Sequence, residues 1–239
     1  KTVTLYGTAE NHGVQLHYDF LVVALGSQTN FFGMKDVEDN AYTMKTLNDA
    51  VVLRNRIIDM MEQAENETDP ILRKSLLRFI MVGGGFAGVE TAGEINDFVT
   101  DISKYYPNIQ TDDIKITLVE ATSEILTGFP RKLANFAKTK LMERGVEVLL
   151  NFGVRSFDGK QVYLENIGKL DDKRDKTILA STLVWTAGVT PIDLIKDSLF
   201  KTEKGRMVVD EFLQVSGFPG VFAIGDCCKI NPELNKKHF

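Results

Sequence analysis

Short apolar runs alternate along the chain with longer segments whose apolar residues stand three and four positions apart. The short runs predict β-strands, and the longer segments predict amphipathic helices at about residues 44–65, 86–105 and 131–144. Alternating strands and helices with continuously apolar strands predict an α/β fold, a Rossmann-like doubly wound parallel sheet. The strands are expected at residues 2–6, 14–18, 20–25, 78–82, 114–120, 146–150, 161–165, 178–184, 208–209 and 221–224.

Three of these segments carry more specific predictions. The run at 20–25 has no polar position, which indicates a buried, parallel strand. The first helix is expected to have Thr43 as its N-cap and to end before Pro70, because proline breaks a helix interior. Residues 152–184 predict a small antiparallel hairpin with a solvated, charged tip at 169–176, which is the extra three-stranded crossover often seen in such domains. The buried stripe of the first helix is expected at Leu47, Val51, Arg54, Ile58 and Met61.

Composition and charge exclude several classes of protein. Of the 239 residues, 44% are hydrophobic and 26% charged, which is ordinary for a globular chain with a core. The net charge of −5 gives no reason to expect a nucleic-acid partner, because phosphate binding needs clustered basic residues. No apolar stretch reaches the roughly 18 residues of a membrane-spanning helix.

The cysteines and histidines suggest no metal or nucleophile chemistry. Cys227 and Cys228 are adjacent, form no CxxC pattern and are expected to be small buried thiols. His12, His17 and His238 belong to no cluster and are expected to be structural or exposed. No metal site is therefore expected.

A glycine-rich loop follows the predicted strand at 78–82 and opens the next helix. At this spacing Gly83 permits the tight turn, Gly85 lets a pyrophosphate approach the backbone, and Gly88 lets the helix pack closely. The N–H groups at the helix N-terminus favour phosphate. A glycine-rich turn without a ligand is the plainer alternative. The loop predicts an NAD-binding site that contains Gly83, Gly84, Gly85, Phe86, Ala87 and Gly88.

Two acidic residues bear on the choice of ligand. Glu120 ends the next strand, where a carboxylate can accept hydrogen bonds from both adenosine ribose hydroxyls and would repel the 2′-phosphate of NADP. Glu120 lies farther from Gly83 than the usual interval of about 20 residues, because a long helix intervenes. We expect NADH; an exposed strand-end acid is the alternative. Glu90, just after Gly88, either complements the helix dipole or points toward the nicotinamide.

Several longer segments resemble one known superfamily. The segments IMVGGGFAGVETAGEINDFV, ITLVEATSEIL, LVWTAGVTP and GVFAIGDCC occur in the order found in the pyridine nucleotide–disulfide oxidoreductases. Two more, YDFLVVALGSQTNFFGM and MKTLNDAVVLRNRI, are similar to the type II NADH dehydrogenases, which are single-subunit NADH:quinone oxidoreductases. The resemblance covers nearly the whole chain. It implies a respiratory-chain flavoprotein that transfers hydride from NADH to FAD and passes electrons to a quinone.

The resemblance also implies a domain plan and roles for residues. An FAD-binding domain at 1–35 and 187–239 would be interrupted by an NAD(H)-binding domain at 36–186. Glu90 would lie near the nicotinamide–flavin contact and is the catalytic candidate. Ala187 and Gly188 would lie near the NAD pocket. The residues implied at the FAD are Ala24, Gly26, Gly225 and Asp226.

Two expected parts of the family are missing from this sequence. A first glycine motif for the FAD pyrophosphate is expected upstream of Gly26, and a C-terminal region that binds quinone and membrane is expected after Asp226. The chain is therefore expected to be a fragment of a cytoplasmic protein that lies at the inner face of the cell membrane. The family also allows a homodimer.

Other members of the superfamily remain alternatives for the electron acceptor. Disulfide, ferredoxin and sulfide:quinone types share the same core motifs, and the missing ends would distinguish them. A third alternative is an isolated NAD-binding module without activity.

Overall fold

A computed structural model describes residues 1–5, 13–168 and 175–230. The chain forms two compact units. The central unit comprises Thr29–Gly188, and the outer unit combines Lys1–Gln28 with Val189–Phe239. No helix in the described part of the chain is both long enough and apolar enough to cross a membrane.

The helices and strands are numbered in chain order. The helices are α1 (Lys35–Asn40), α2 (Leu47–Asn66), α3 (Pro70–Leu76), α4 (Phe86–Ser103), α5 (Arg131–Glu143) and α6 (Asp193–Lys196). The strands are β1 (Thr2–Leu5), β2 (Val14–His17), β3 (Leu21–Val23), β4 (Ser27–Thr29), β5 (Tyr42–Thr43), β6 (Arg78–Val82), β7 (Lys115–Glu120), β8 (Glu147–Leu150), β9 (Phe152–Phe157), β10 (Gln161–Asn166), β11 (Lys176–Leu179), β12 (Thr182–Trp185), β13 (Val189–Pro191), β14 (Thr202–Glu203), β15 (Arg206–Val209), β16 (Val221–Ala223) and β17 (Cys228–Ile230). Short 3-10 turns lie at Thr111–Asp113 and Gly225–Cys227.

The central unit is built on a five-stranded sheet in the order β5-β12-β6-β7-β8. All of its neighbouring strands are parallel. Successive side chains of a strand point to opposite faces. On β6, Phe79 and Met81 accordingly pack in the core formed with α2 to α5, while Ile80 and Val82 pack in the core formed with β9 to β11. The predicted parallel α/β sheet is confirmed.

The crossover between β8 and β12 is antiparallel and three-stranded, as predicted. Strands β9, β10 and β11 form a three-stranded antiparallel sheet in the order β11-β10-β9. The predicted strand 178–184 is in fact two strands, β11 and β12, because the chain turns at Ala180–Ser181 to re-enter the parallel sheet. Most of the charged stretch at 169–176 lies outside the described residues.

The start and the buried face of α2 differ from the prediction. Thr46, not Thr43, is the N-cap: its side chain accepts a hydrogen bond from the Asp49 N–H at 3.2 Å, and Asp49 accepts one from the Thr46 N–H at 2.9 Å. This capping box satisfies two N–H groups at the helix start. Leu47 is 84% and Val51 39% exposed, so the predicted stripe is wrong except at Met61. The residues that face the core are Leu53, Ile57, Met60, Met61 and Ala64.

Pro70 begins a helix that the sequence pattern missed. It is the first residue of α3, where proline lacks only an N–H that would have no partner in the helix. Asp69 is the N-cap, and its side chain accepts a hydrogen bond from the Ile71 N–H at 2.8 Å. The break after α2 is thus real, but it is short.

The outer unit contains small sheets. Strands β1 and β2 are antiparallel, as predicted, and β3 pairs in parallel with β16. In this unit β15 also joins β14 and β17. The prediction that residues 20–25 are buried is confirmed only at Val23: Phe20 is 74% and Val22 56% exposed, because β3 has only one neighbouring strand in its described sheet. His17 is exposed, whereas His12 and His238 lie outside the described residues.

Candidate functional site

The glycine loop joins β6 to α4 and has little room for side chains. Gly83 has φ +108°, and a Cβ there would lie 2.8 Å from the backbone nitrogen of Ala187. A Cβ at Gly88 would lie 1.8 Å from the carbonyl oxygen of Gly83 and 2.7 Å from the hydroxyl of Thr186. A Cβ at Gly85 would meet nothing within 4 Å. Two glycines therefore permit close packing, and the third leaves an open approach to the backbone.

The N-terminus of α4 is open to an anion. Gly85 is its N-cap, and no side chain caps the helix among the described residues. Phe86 and Ala87 are exposed in the first turn, and the Phe86 ring meets the Phe129 ring edge-on at 5.1 Å. The backbone N–H groups of the first helical turn have no partner within the helix, so the loop has the features that bind pyrophosphate.

Glu120 is held against the glycine loop. Its Oε2 accepts a hydrogen bond from the Gly84 N–H at 2.5 Å, and its Oε1 accepts one from the Thr122 N–H at 2.7 Å. The loop after β7 is fastened as well, because the Leu126 N–H donates to the Gly84 carbonyl at 2.7 Å. The half-buried carboxylate is thus fixed at the carboxyl end of β7 and is not free to swing into solvent.

A cleft of about 420 Å³ lies at the carboxyl ends of β6, β7 and β12. It opens beside β6, where the direction of strand order changes: β7 and β8 follow on one side of β6, and β12 lies on its other side. Dinucleotides bind at this switch point in open α/β sheets. The lining consists of Phe32, Met34, Val82, Gly83, Gly85, Val119, Glu120, Ala121, Phe152, Gly153, Val154, Trp185, Thr186, Ala187 and Gly188.

Trp185 shapes one wall of this cleft. Its indole N–H donates to the Asn30 carbonyl at 2.9 Å, and its ring centroid lies 5.9 Å from that of Phe31 and 6.4 Å from that of Phe32. A Cβ at Gly188 would lie 2.5 Å from the Phe32 ring. Sequence reasoning missed these aromatic residues, because no local pattern shows that residues so far apart share a wall.

The predicted NAD-site residues fall into two groups. Gly83, Gly85, Glu120, Ala187 and Gly188 line the cleft together, and Gly84 and Gly88 pack behind it. Glu90 does not line it. Its exposed side chain lines a different, shallow groove between α4 and α5, together with Lys140 of α5 and Arg144 just after that helix. Its role at the nicotinamide therefore stays a prediction.

The residues implied at the FAD meet at one edge of the outer unit. Ala24 and Gly26 follow β3, and Gly225 and Asp226 follow β16; these two strands are parallel neighbours, so both turns lie at the same end. Gly26 and Gly225 have φ +67° and +77°. The Ser27 hydroxyl donates to the Asp226 carboxylate at 2.7 Å, a contact that the sequence did not indicate.

The two cysteines differ in environment. Cys227 is buried, as predicted, but Cys228 is only half-buried. Burial raises the pKa of the Cys228 thiol, and neighbouring Cys227 raises this pKa further. A raised pKa leaves little thiolate at neutral pH, so Cys228 lacks the activation of a redox cysteine.

The sequence profile of the family described as pyridine nucleotide-disulphide oxidoreductase matches residues 1–237. The chain belongs to this family. The superfamily that the motifs resembled is thereby confirmed, and so is the fold class expected from the strand and helix pattern.

Two named proteins are similar to the chain over about nine tenths of its length. The external alternative NADH-ubiquinone oxidoreductase of Yarrowia lipolytica mitochondria is 35% identical over 219 residues, which cover 89% of this chain and 38% of that protein. The external alternative NAD(P)H-ubiquinone oxidoreductase B3 of Arabidopsis thaliana mitochondria is 36% identical over 222 residues, or 90% and 37% of the two chains. The chain thus spans less than two fifths of the length of these two relatives.

A solved structure shows the same fold in this family. NDH2 from Plasmodium falciparum in complex with NADH superposes with a TM-score of 0.84 at 30% sequence identity. The superposition covers 93% of this chain and 46% of that one. The fold of the described residues is therefore one that holds NADH in a relative.

Proposed function

We propose that the protein is the dinucleotide-binding part of an FAD-dependent NADH dehydrogenase that passes hydride from NADH to FAD and electrons on to a quinone. The observation that carries the proposal is Glu120, which the Gly84 and Thr122 N–H groups fix beside an open glycine loop. A fixed carboxylate at this position can accept hydrogen bonds from the ribose hydroxyls of NADH and repels an added phosphate.

The cleft residues account for binding and positioning. The open side of Gly85 and the uncapped start of α4 suit the pyrophosphate. Trp185, Ala187 and Gly188 line the wall on the β12 side of the switch point, where the nicotinamide half would lie. Glu90 would act near the nicotinamide; that role rests on family resemblance, because its side chain lies outside the cleft lining.

The edge of the outer unit suits a flavin nucleotide. Two turns with left-handed glycines leave backbone accessible, and the exposed Asp226 carboxylate is oriented by Ser27. We propose that Ala24, Gly26, Gly225 and Asp226 contact FAD, with 1–35 and 187–239 as parts of its domain and 36–186 as the NAD(H) domain. When bound, FAD supplies the acceptor for the hydride.

The quinone, the membrane and the oligomer are proposed from the family. The relatives named above are NADH- or NAD(P)H-ubiquinone oxidoreductases of mitochondria, which supports a quinone acceptor. We propose peripheral attachment to a membrane through a part of the protein beyond these residues, and a homodimer. Cell fractionation distinguishes the inner face of the cell membrane from a mitochondrial membrane.

The first experiment measures NADH binding through Trp185. The sequence contains one tryptophan, and it lines the cleft, so bound NADH should quench its fluorescence by energy transfer. Quenching that saturates supports the assignment, and no quenching together with no binding by calorimetry contradicts it. As a control, replacing exposed Lys132 by Gln should leave the titration unchanged.

The second experiment tests the acceptor. NADH oxidation is followed with FAD supplied and with a soluble ubiquinone analogue, a disulfide, ferredoxin or sulfide plus quinone offered separately. Reduction of the quinone by NADH supports the proposal. If NADH binds but only another acceptor is used, the quinone assignment is wrong while the dinucleotide site stands. Binding without any turnover would favour the NAD-binding module without activity.

A further inference from the structure

A second cleft, of about 600 Å³, lies at the opposite ends of the same strands. The dinucleotide cleft is at the carboxyl ends of β6 and β7, whereas this one contains Arg78 and Lys115, the first residues of those strands. Its volume lies within the usual range of about 300–1,000 Å³ for small-molecule sites. It is lined by Ile71, Lys74, Arg78, Asp112, Asp113, Lys115, Thr177 and Leu179.

Three cations from three elements line this cleft and outnumber its two acids, Asp112 and Asp113. Arg78 and Lys115 are register partners on adjacent parallel strands, so two like charges stand side by side, which is destabilising. Lys74 of α3 adds a third. Among the described residues, none of the three forms an ion pair.

The Arg78 side chain carries a hydrogen-bond donor that has no partner among the described residues. This donor, the Nε, is buried, which leaves the terminal guanidinium nitrogens as the atoms that a ligand could contact. A buried donor without a partner is destabilising, and such atoms are rare in folded proteins. The guanidinium plane suits the two oxygens of a phosphate or carboxylate better than a single water.

We propose that this cleft binds a small polyvalent oxyanion, a phosphate or a polycarboxylate of metabolite size. The anion accepts hydrogen bonds from the terminal guanidinium nitrogens of Arg78 and is paired by Lys74 and Lys115. Of the two acids, Asp113 already accepts a hydrogen bond from the Gln110 N–H at 3.1 Å, while Asp112 is exposed and has no such partner in the described residues. The site shares no residue with the dinucleotide cleft, so it does not depend on the proposed NADH binding.

The test uses inorganic pyrophosphate and citrate as separate probes with the NADH-saturated protein, so that the glycine loop is occupied. Binding is measured by calorimetry and by the ¹⁵N–¹H signal of the Arg78 Nε–H group. The proposal expects at least one probe to bind, to shift that signal and to raise the Tm. Tighter binding of pyrophosphate assigns the site to phosphates, and tighter binding of citrate assigns it to carboxylates.

Variants decide whether these cations form the site. Arg78→Gln and Lys115→Gln should each weaken the bound probe at least tenfold, whereas the control Lys132→Gln should not. Asp112→Asn should tighten binding, because it removes a repelling charge. Lys115→Gln should also keep or raise the Tm without probe while losing the probe-dependent increase, a pattern that a purely structural lysine would not give. Unchanged affinity in both cation variants, or no binding of either probe, overturns the proposal.

Discussion

Replacing Glu120 by Gln tests how the cleft distinguishes NADH from NADPH. The change removes the charge and leaves one oxygen acceptor where the carboxylate has two, so the side chain cannot accept from both the Gly84 and the Thr122 N–H groups as it does now. A hydrogen bond to a charged group contributes about 1.5–3 kcal/mol, so the loss of the ribose contacts should raise the Kd for NADH about 10- to 150-fold.

NADPH should respond in the opposite direction. Two unit charges 4 Å apart repel by about 1 kcal/mol even in bulk water. Removal of the Glu120 charge should therefore lower the Kd for NADPH several-fold. The ratio of the Kd for NADPH to the Kd for NADH should then fall by a larger factor than the rise in the Kd for NADH alone. Loss of one backbone N–H contact to the charged carboxylate should cost about 1.5–3 kcal/mol of folding free energy, which lowers the Tm by about 3–12 °C in a chain of this size.

The assay is quenching of Trp185 fluorescence by each nucleotide, with the Tm as a check on folding. Glu124→Gln is the matched control, because Glu124 belongs to the same loop but pairs with Arg131 at 3.5 Å and does not line the cleft. It should leave the NADH to NADPH ratio unchanged. If Glu120→Gln leaves that ratio unchanged, or weakens both nucleotides equally, Glu120 does not select the cofactor.

Two further predictions concern the glycine loop and a helix cap. Gly88→Ala should lower the free energy of unfolding by at least about 2 kcal/mol, because its Cβ would overlap the Gly83 carbonyl. Gly85→Ala should change that free energy by less than about 0.5 kcal/mol but should weaken NADH binding at least tenfold. Urea unfolding measures the stability and Trp185 quenching the binding, and equal losses of stability in the two variants would refute the packing argument. For Asp49, burial by itself raises the pKa of the carboxyl, but hydrogen bonds from the backbone N–H groups of the helix start outweigh it and hold the pKa below its ordinary value of 3.8. Because the folded-state pKa is lowered, the capping contribution is fully present above pH 3.8 and is lost as the pH falls through the folded-state pKa. Asp49→Asn should therefore lower the free energy of unfolding by about 1 kcal/mol at pH 6 and by almost nothing at low pH. A loss of stability that is the same at every pH would contradict this prediction.

Local periodicity was enough to predict where most helices and strands lie, but not which side of a helix is buried. The bounds of β6 were predicted correctly, because a short apolar run bounded by polar residues and glycines is typical of a buried strand. The buried face of α2 was not, since Leu47 is as apolar as Leu53, and the spacing of Thr46 and Asp49, which favours Thr46 over Thr43 as the cap, was overlooked. The capping box with Asp49 and packing against the sheet decide between them.

The sequence by itself determined the parts of the site that depend on neighbours in the chain. The spacing of Gly83, Gly85 and Gly88 and the place of Glu120 at a strand end follow from short segments with one stable local structure. Only the tertiary structure decided what these segments meet: the Gly84 N–H that holds Glu120, the Trp185 wall, the Ser27 contact with Asp226, and the paired cations Arg78 and Lys115. Such contacts join residues far apart in the chain, and strand order and register, which no local pattern encodes, bring them together.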